Sequence, residues 1–423
     1  MPHFIPRQLS ASIFVLLFVL LAQPVAADAD AMPDPDGQPA DMSKPVQVYI
    51  LMGQSNMVGS GNTAPLQGMA AEKYPYLVDD SGAWTVRKDV RNVFIMASGN
   101  KIGDIKQNNW MTIEQKKIGP EIGIGHHLGN ATDAPVMILK SCIGNRSLGW
   151  DLLPPGTEAY EYDGKLHPGY RGTPDNPRGD TGGDMSKGWY AGCQYDGDVA
   201  SAKHVLENLD KFYPGATKYE VKGFFWWQGC KEKGNPAHYN RYGQNLVQLI
   251  RSLRKDFDAP DALFVAASLG ETKLDAKGAD GAMINALIAL SKSDNEELKG
   301  KVGFVYANPL SMGGGSCGHY GNNVQTYMNV GEGLGKAMVQ LLEKNQGGSA
   351  SSGGDSNSEN KPAEPIDHQM RDWTGTNGKS FKARFIEASR GRVILELEDG
   401  KKRGYSKRAF SDEDVAYIDQ YEG

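Results

Sequence analysis

Short apolar runs and longer amphipathic stretches alternate along this chain. Residues 46–52 form a partly β-branched apolar run of strand character, which stops at Gly53 before polar Gln54, Ser55 and Asn56. Similar runs predict strands over 135–140, 221–227, 263–267 and 302–306. Helical spacing between them predicts helices over about 118–129, 198–209, 235–257, 282–293 and 326–343. The clearest is 235–257, where Tyr239, Tyr242, Leu246, Leu249, Ile250, Leu253 and Phe257 recur at intervals of three and four. Residues 59–117 show no sustained period and read as loops over one sheet edge, with short apolar pieces such as 90–96. Short strands alternating with long helices predict an α/β fold: a three-layer α/β/α sandwich around a mostly parallel five-stranded sheet.

The flanks differ in character. Arg7, the unbroken apolar stretch 13–22 and Val25-Ala26-Ala27 read as a signal peptide over 1–27, followed by an Asp-, Ala- and Pro-rich flexible lead-in over 28–44. The apolar stretch is shorter than the roughly 20 residues that span a bilayer, so no membrane span is expected and the product is secreted or periplasmic. The main domain covers 45–344. Residues 345–369 are Gly-, Ser-, Asn- and Glu-rich, a flexible linker, and 370–423 form a small β module with a hairpin turn at Asp399-Gly400. In 423 residues the net charge is -6 with no long basic block, which argues against a nucleic-acid partner. Export makes the four cysteines, Cys142, Cys193, Cys230 and Cys317, candidates for two disulfides, with three pairings open. No two are close enough in sequence for a zinc site, and no metal is expected.

Candidate chemistry clusters where predicted strands end. Ser55 follows the first, just past a glycine that permits a tight turn. Gly144 lies in Ser141-Cys142-Ile143-Gly144-Asn145, after the second. Trp226-Trp227-Gln228-Gly229-Cys230 closes the third, and His319 sits in the glycine-rich loop Gly313-Gly314-Gly315-Ser316-Cys317-Gly318-His319 before the last helix. Together with Gly119-Pro120-Glu121, these blocks resemble the sialate O-acetylesterase-type carbohydrate esterases of the Ser-Gly-Asn-His (SGNH) hydrolases, which have a flavodoxin-like fold. The resemblance implies Ser55 as nucleophile and His319 as base. It also implies an oxyanion site formed by the Ser55 and Gly144 N–H groups and the Gln228 amide, with Gln54 and Asn56 as supports. No organic cofactor is implied.

Two positions depart from that pattern. Ser316 stands where an aspartate usually precedes the histidine by three residues, and Cys230 stands where a glutamate follows Gln-Gly. A Ser-His dyad, a carboxylate from elsewhere (Glu121 or Glu232), or a disulfide-bearing variant remain as explanations. The pairing Cys230 with Cys317 follows from bringing both segments to one site, leaving Cys142 with Cys193. The implied substrate is an acetylated carbohydrate, either a xylan-like polysaccharide or a sialic acid. Trp150, Tyr160, Tyr162, Tyr170, Trp189 and Tyr190, in the Gly- and Pro-rich insertion 150–195, are candidates for stacking on sugar rings. The C-terminal module, with Arg371-Asp372-Trp373-Thr374, resembles a Sla homology domain, an SH3-like barrel that would bind an unidentified protein or glycan. The alternatives are a catalytically impaired glycan-binding relative and a scaffold acting through that module.

Overall fold

The computed structural model describes residue 32 and residues 34–172, 189–347, 369–389 and 391–421. The predicted signal peptide, most of the linker (348–368) and residues 173–188 of the insertion lie outside the described residues.

The central strands are β1 Val46–Gly53, β2 Arg87–Met96, β3 Asp104–Met111, β4 Val136–Ser141, β5 Tyr219–Trp227, β6 Leu263–Ala267 and β7 Val302–Val305. They form a seven-stranded sheet in the order β7-β6-β5-β1-β4-β2-β3. Neighbours run parallel except β2 and β3, which pair antiparallel. The expected five-stranded sheet therefore gains two strands from the stretch read as loops. Their apolar signal is hidden by charge. In β2, Arg87 is fully buried and bonded to Asp89 at 3.0 and 2.6 Å, so two charged residues occupy core positions as a pair. β3 is a mostly polar edge strand, as exposed edges tend to be.

Helices α1 Glu121–Asn130, α2 Cys193–Glu207, α3 Tyr242–Asp256, α4 Gly278–Ser291 and α5 Val324–Gly347 cover both faces. The two-residue alternation of β1 assigns the faces. Val46, Val48, Ile50 and Met52 enter one core with Val199, Leu246, Leu253 and Leu287. Tyr49 and Leu51 enter the other with Ile122, Leu128, Leu334 and Met338. Burying each such aliphatic side chain contributes roughly 1.5–3 kcal/mol. The single helix expected over 235–257 is broken at Arg241 (φ -101°, ψ 5°) into Pro236–Asn240 and α3. The Arg241 guanidinium lies 4.1 Å above the Tyr160 ring at this break.

The expected Cys142–Cys193 bridge is absent: both are free, buried thiols. Alternation at the end of β4 explains it. The Ser141 hydroxyl donates to the Asp198 carbonyl in α2 (2.8 Å), whereas Cys142 packs in the opposite core with Tyr49 and Leu51. Cys193, at the start of α2, lies on the Ser141 side of the sheet.

The C-terminal module contains β8 Met370–Thr374, β9 Ser380–Ser389, β10 Arg392–Leu397, β11 Lys402–Ser406 and α6 Asp412–Asp419. The four strands form an antiparallel meander around Trp373, Phe385, Val393, Leu395, Phe410 and Ile418. Residues 34–44, read from composition as a flexible lead-in, are held here: Asp34–Pro35 adds a parallel strand to β11. Arg392, buried in the module, faces Asp36 at 3.7 Å and Asp89 at 3.6 Å. Burial works against the charge on Asp89, but Arg87 and Arg392 hold its carboxyl below the usual range.

Replacing Arg392 with Met should therefore strand buried carboxylates and cost about 3 kcal/mol in urea unfolding. A loss below about 1 kcal/mol would show that these charges do not bind the module to the main domain.

Candidate active site

The carboxyl ends of β1, β4, β5, β6 and β7 all open on the same sheet edge, where ligands bind in open α/β sheets. The first turn beyond β1 is tight. Gly53 has φ 142°, and a Cβ there would stand 2.5 Å from the Trp227 carbonyl, so only glycine fits. The chain then turns into the one-turn helix Ser55–Val58. Ser55 and His319 line one cleft of about 1150 Å3, together with Gly144, Arg146, Trp150, Trp189, Lys231 and His238. No hydrogen bond joins Ser55 to His319, and catalytic contacts of this kind often tighten only when substrate binds.

The backbone N–H groups of Ser55 and Gly144 have no acceptor among the described residues. Gly144 lies so close that a Cβ on it would stand 3.3 Å from the Ser55 Cβ. Two unclaimed N–H donors thus flank the Ser55 side chain at the cleft.

Gln228 is arranged differently from expectation. It is buried, and its Nε2 group donates to the Arg146 carbonyl at 2.9 Å and to Glu232 Oε2. Both amide hydrogens are engaged, and Oε1 is buried without a partner. Gln54 is buried beneath the site, its Oε1 3.4 Å from the N–H groups of Gly229 and Lys231. Asn56 is fully buried, and neither side-chain polar atom has a partner.

The carboxylates suggested as supports do not contact the His319 ring. Glu121 is paired with Lys140 at 2.8 Å, both buried, and accepts from the Gly119 N–H at 3.0 Å. Glu232 accepts from the Leu148 and Gly149 N–H groups as well as from Gln228. Burial pushes its carboxyl up to about 7 against the pull of those three donors. Ser316 donates its N–H (2.9 Å) and hydroxyl (2.7 Å) to Glu271, which pairs with Lys233 at 2.6 Å. His319 itself adopts a left-handed backbone (φ 53°), and its carbonyl accepts from Tyr327 at 3.5 Å.

The Cys230–Cys317 disulfide is formed, tying the turn after β5 to the His319 loop with Cα atoms 5.6 Å apart. The Lys233–Glu271–Ser316 chain runs between the same two segments as an ionic link.

Sequence reasoning missed His167, His238 and Glu271. His167 ends a small hairpin of Tyr160–Tyr162 and Lys165–His167, stacked 5.1 Å from Tyr160. Its turn, Asp163-Gly164, is a hairpin signal legible from sequence. His238 is held by burial to about 4, so it is neutral at pH 7. Of the insertion aromatics, Trp150 and Trp189 reach the cleft, with Arg146 4.8 Å over the Trp189 ring. Tyr170 and Tyr190 instead bond to Asp196 away from it. Among the described residues no group of three or more His, Cys, Asp or Glu is arranged to hold a metal, and no helix is long and apolar enough to cross a membrane.

Residues 179–340 match the model of a family described as carbohydrate esterase, sialic acid-specific acetylesterase. Over these residues the chain is similar to that carbohydrate-esterase family. The match supports a carboxylic ester hydrolase and takes in Gln228, Cys230 and His319, while Ser55 and Gly144 lie before the matched span. Among solved structures, the domain resembles a protein from Arabidopsis thaliana at 15% identity, covering 70% of this chain and 99% of that one, with a TM-score of 0.42. A carbohydrate acetylesterase from Xanthomonas citri is 13% identical, with 83% of this chain and 62% of that chain covered and a TM-score of 0.44. NanS is 12% identical over 72% of this chain and 99% of its own, with a TM-score of 0.40. No curated protein matches this chain.

Removing the disulfide by Cys230→Ser with Cys317→Ser should lower the unfolding free energy by about 2–4 kcal/mol. Ester hydrolysis should slow as well, because the His319 loop loses its covalent anchor. Unchanged turnover after mass-verified loss of the bridge would deny the link a part in catalysis.

Proposed function

We propose that this carbohydrate esterase is an exported serine enzyme that removes O-acetyl groups through an acyl-enzyme on Ser55. The observation that carries this reading is the pair of unclaimed N–H groups, Ser55 and Gly144, beside a cleft-lining hydroxyl whose cleft also holds His319.

His319 takes the Ser55 proton as the oxygen attacks the acetyl carbonyl. The two N–H groups receive the negative charge that develops on the carbonyl oxygen. Collapse of the tetrahedral species breaks the ester C–O bond, and His319 returns the proton to the departing sugar hydroxyl. Water, deprotonated by the same imidazole, then attacks the acetyl carbon; the bond from Ser55 Oγ to that carbon breaks, acetate leaves, and His319 returns the proton to Ser55. Among the described residues no carboxylate is hydrogen-bonded to the His319 ring, and the reaction runs on a Ser-His dyad.

The substrate is an acetylated sugar within a polysaccharide or a sialic acid. An open cleft bordered by Trp150 and Trp189 suits a ring held by stacking. Export is supported by the disulfide, a bond that persists in oxidising compartments. The C-terminal module, likened to a Sla homology domain, would then serve chiefly as a fixed part of the enzyme.

Acetate release from acetylated xylan and acetylated sialic acid should fall by at least about 10³ in Ser55→Ala. Retained glycan binding without any turnover, in wild type and variant alike, would favour the impaired-binder alternative. Turnover that survives Ser55→Ala would refute the serine mechanism.

A further inference from the structure

The loop that presents Gly144 has no ladder of its own beyond β4, yet it is fixed at three points by two side chains. Gln228 Nε2 holds the Arg146 carbonyl at 2.9 Å. Glu232 Oε1 accepts the Leu148 N–H and, at 3.1 Å, the Gly149 N–H. Glu232 Oε2 accepts the second hydrogen of the same Gln228 amide. Glu232 is fully buried, so all three of its bonds are made without competition from water.

We infer that Gln228 and Glu232 act as one clamp: they are positioning residues that hold the 144–149 loop so that the Gly144 N–H meets the oxyanion on Ser55. Gln228 is then not itself an oxyanion donor. This rests on the Ser55 reading above.

Donor and acceptor chemistry makes the clamp directional. All three groups hydrogen-bonded to Glu232 are donors, and in its carboxylate form it offers only acceptors to them. Glutamine at 232 keeps the shape but puts an NH2 against either the two backbone N–H groups or the Gln228 amide. Flipping Gln228 to relieve that contact turns its carbonyl oxygen toward the Arg146 carbonyl. Either way one anchor of the loop is lost, and a displacement near 1 Å at a reacting centre costs about 10² in rate. The hydroxyl, the imidazole and the sugar-stacking rings are untouched, so the loss falls on kcat.

The test is a double-mutant cycle in the full chain with Ser55→Ala as control, assayed well below each variant's melting temperature. Glu232→Gln and Gln228→Met, which keeps the volume, should each lower kcat on an acetyl ester by about 30- to 100-fold, with KM within about twofold. The double variant should be no worse than the weaker single by more than about threefold, because both break the same clamp. Multiplying losses in the double would mean that Gln228 reaches the oxyanion independently, and would overturn the inference. So would a Glu232→Gln enzyme that melts lower but keeps its kcat. Full activity in Ser55→Ala would instead overturn the underlying serine reading.

Discussion

The site depends on cross-links centred on residues 228–233. A parallel sheet brings strand ends to within about 5 Å of one another, but the reacting groups stand on loops beyond those ends, where no ladder reaches. In this protein the turn after β5 bonds to each of the other loops. Its N–H groups approach Gln54 under the Ser55 turn, Gln228 and Glu232 hold the Gly144 loop, and Cys230 and Lys233 reach the His319 segment. One short segment thereby sets the mutual distances of groups that are far apart in sequence.

The character of those links matters. A buried network that is fully satisfied makes its surroundings rigid, whereas a partly satisfied one is costly. Glu232 meets three donors, and Glu271 is shared between Ser316 and Lys233. Two groups are exceptions: Gln228 Oε1 is buried without a partner, and Asn56, next to Ser55 in the chain, is buried with its amide unpaired. The same logic operates on a larger scale at the C-terminal module. There the strand Asp34–Pro35 and the ion pairs of Arg392 join the two ends of the described chain to the main domain.

Much of the fold was legible because apolar periodicity reports burial directly. β1, β5, β6 and β7 appear where their apolar runs lie, and α3 where its three- and four-residue spacing lies. β2 and β3 were not legible: Arg87 and Asp89 occupy core positions as a pair, and a polar edge strand has no apolar face to advertise. The motif residues were legible as candidates, and the cleft does gather Ser55, Gly144, Cys317 and His319. Their supporting partners were not, and Cys142 was misassigned because a single step along β4 sends it to the other face of the sheet.

The amino-acid sequence by itself determined which segments could become strands, helices and tight turns, since these follow from side-chain spacing and from glycines such as Gly53. Tertiary structure alone decided that the carboxylate at 232 holds Gln228 and a backbone loop, and that the thiols at 142 and 193 stay apart. Hydrogen bonds and disulfides are short and directional, so partners separated by many residues are selected only once packing has fixed where each side chain points.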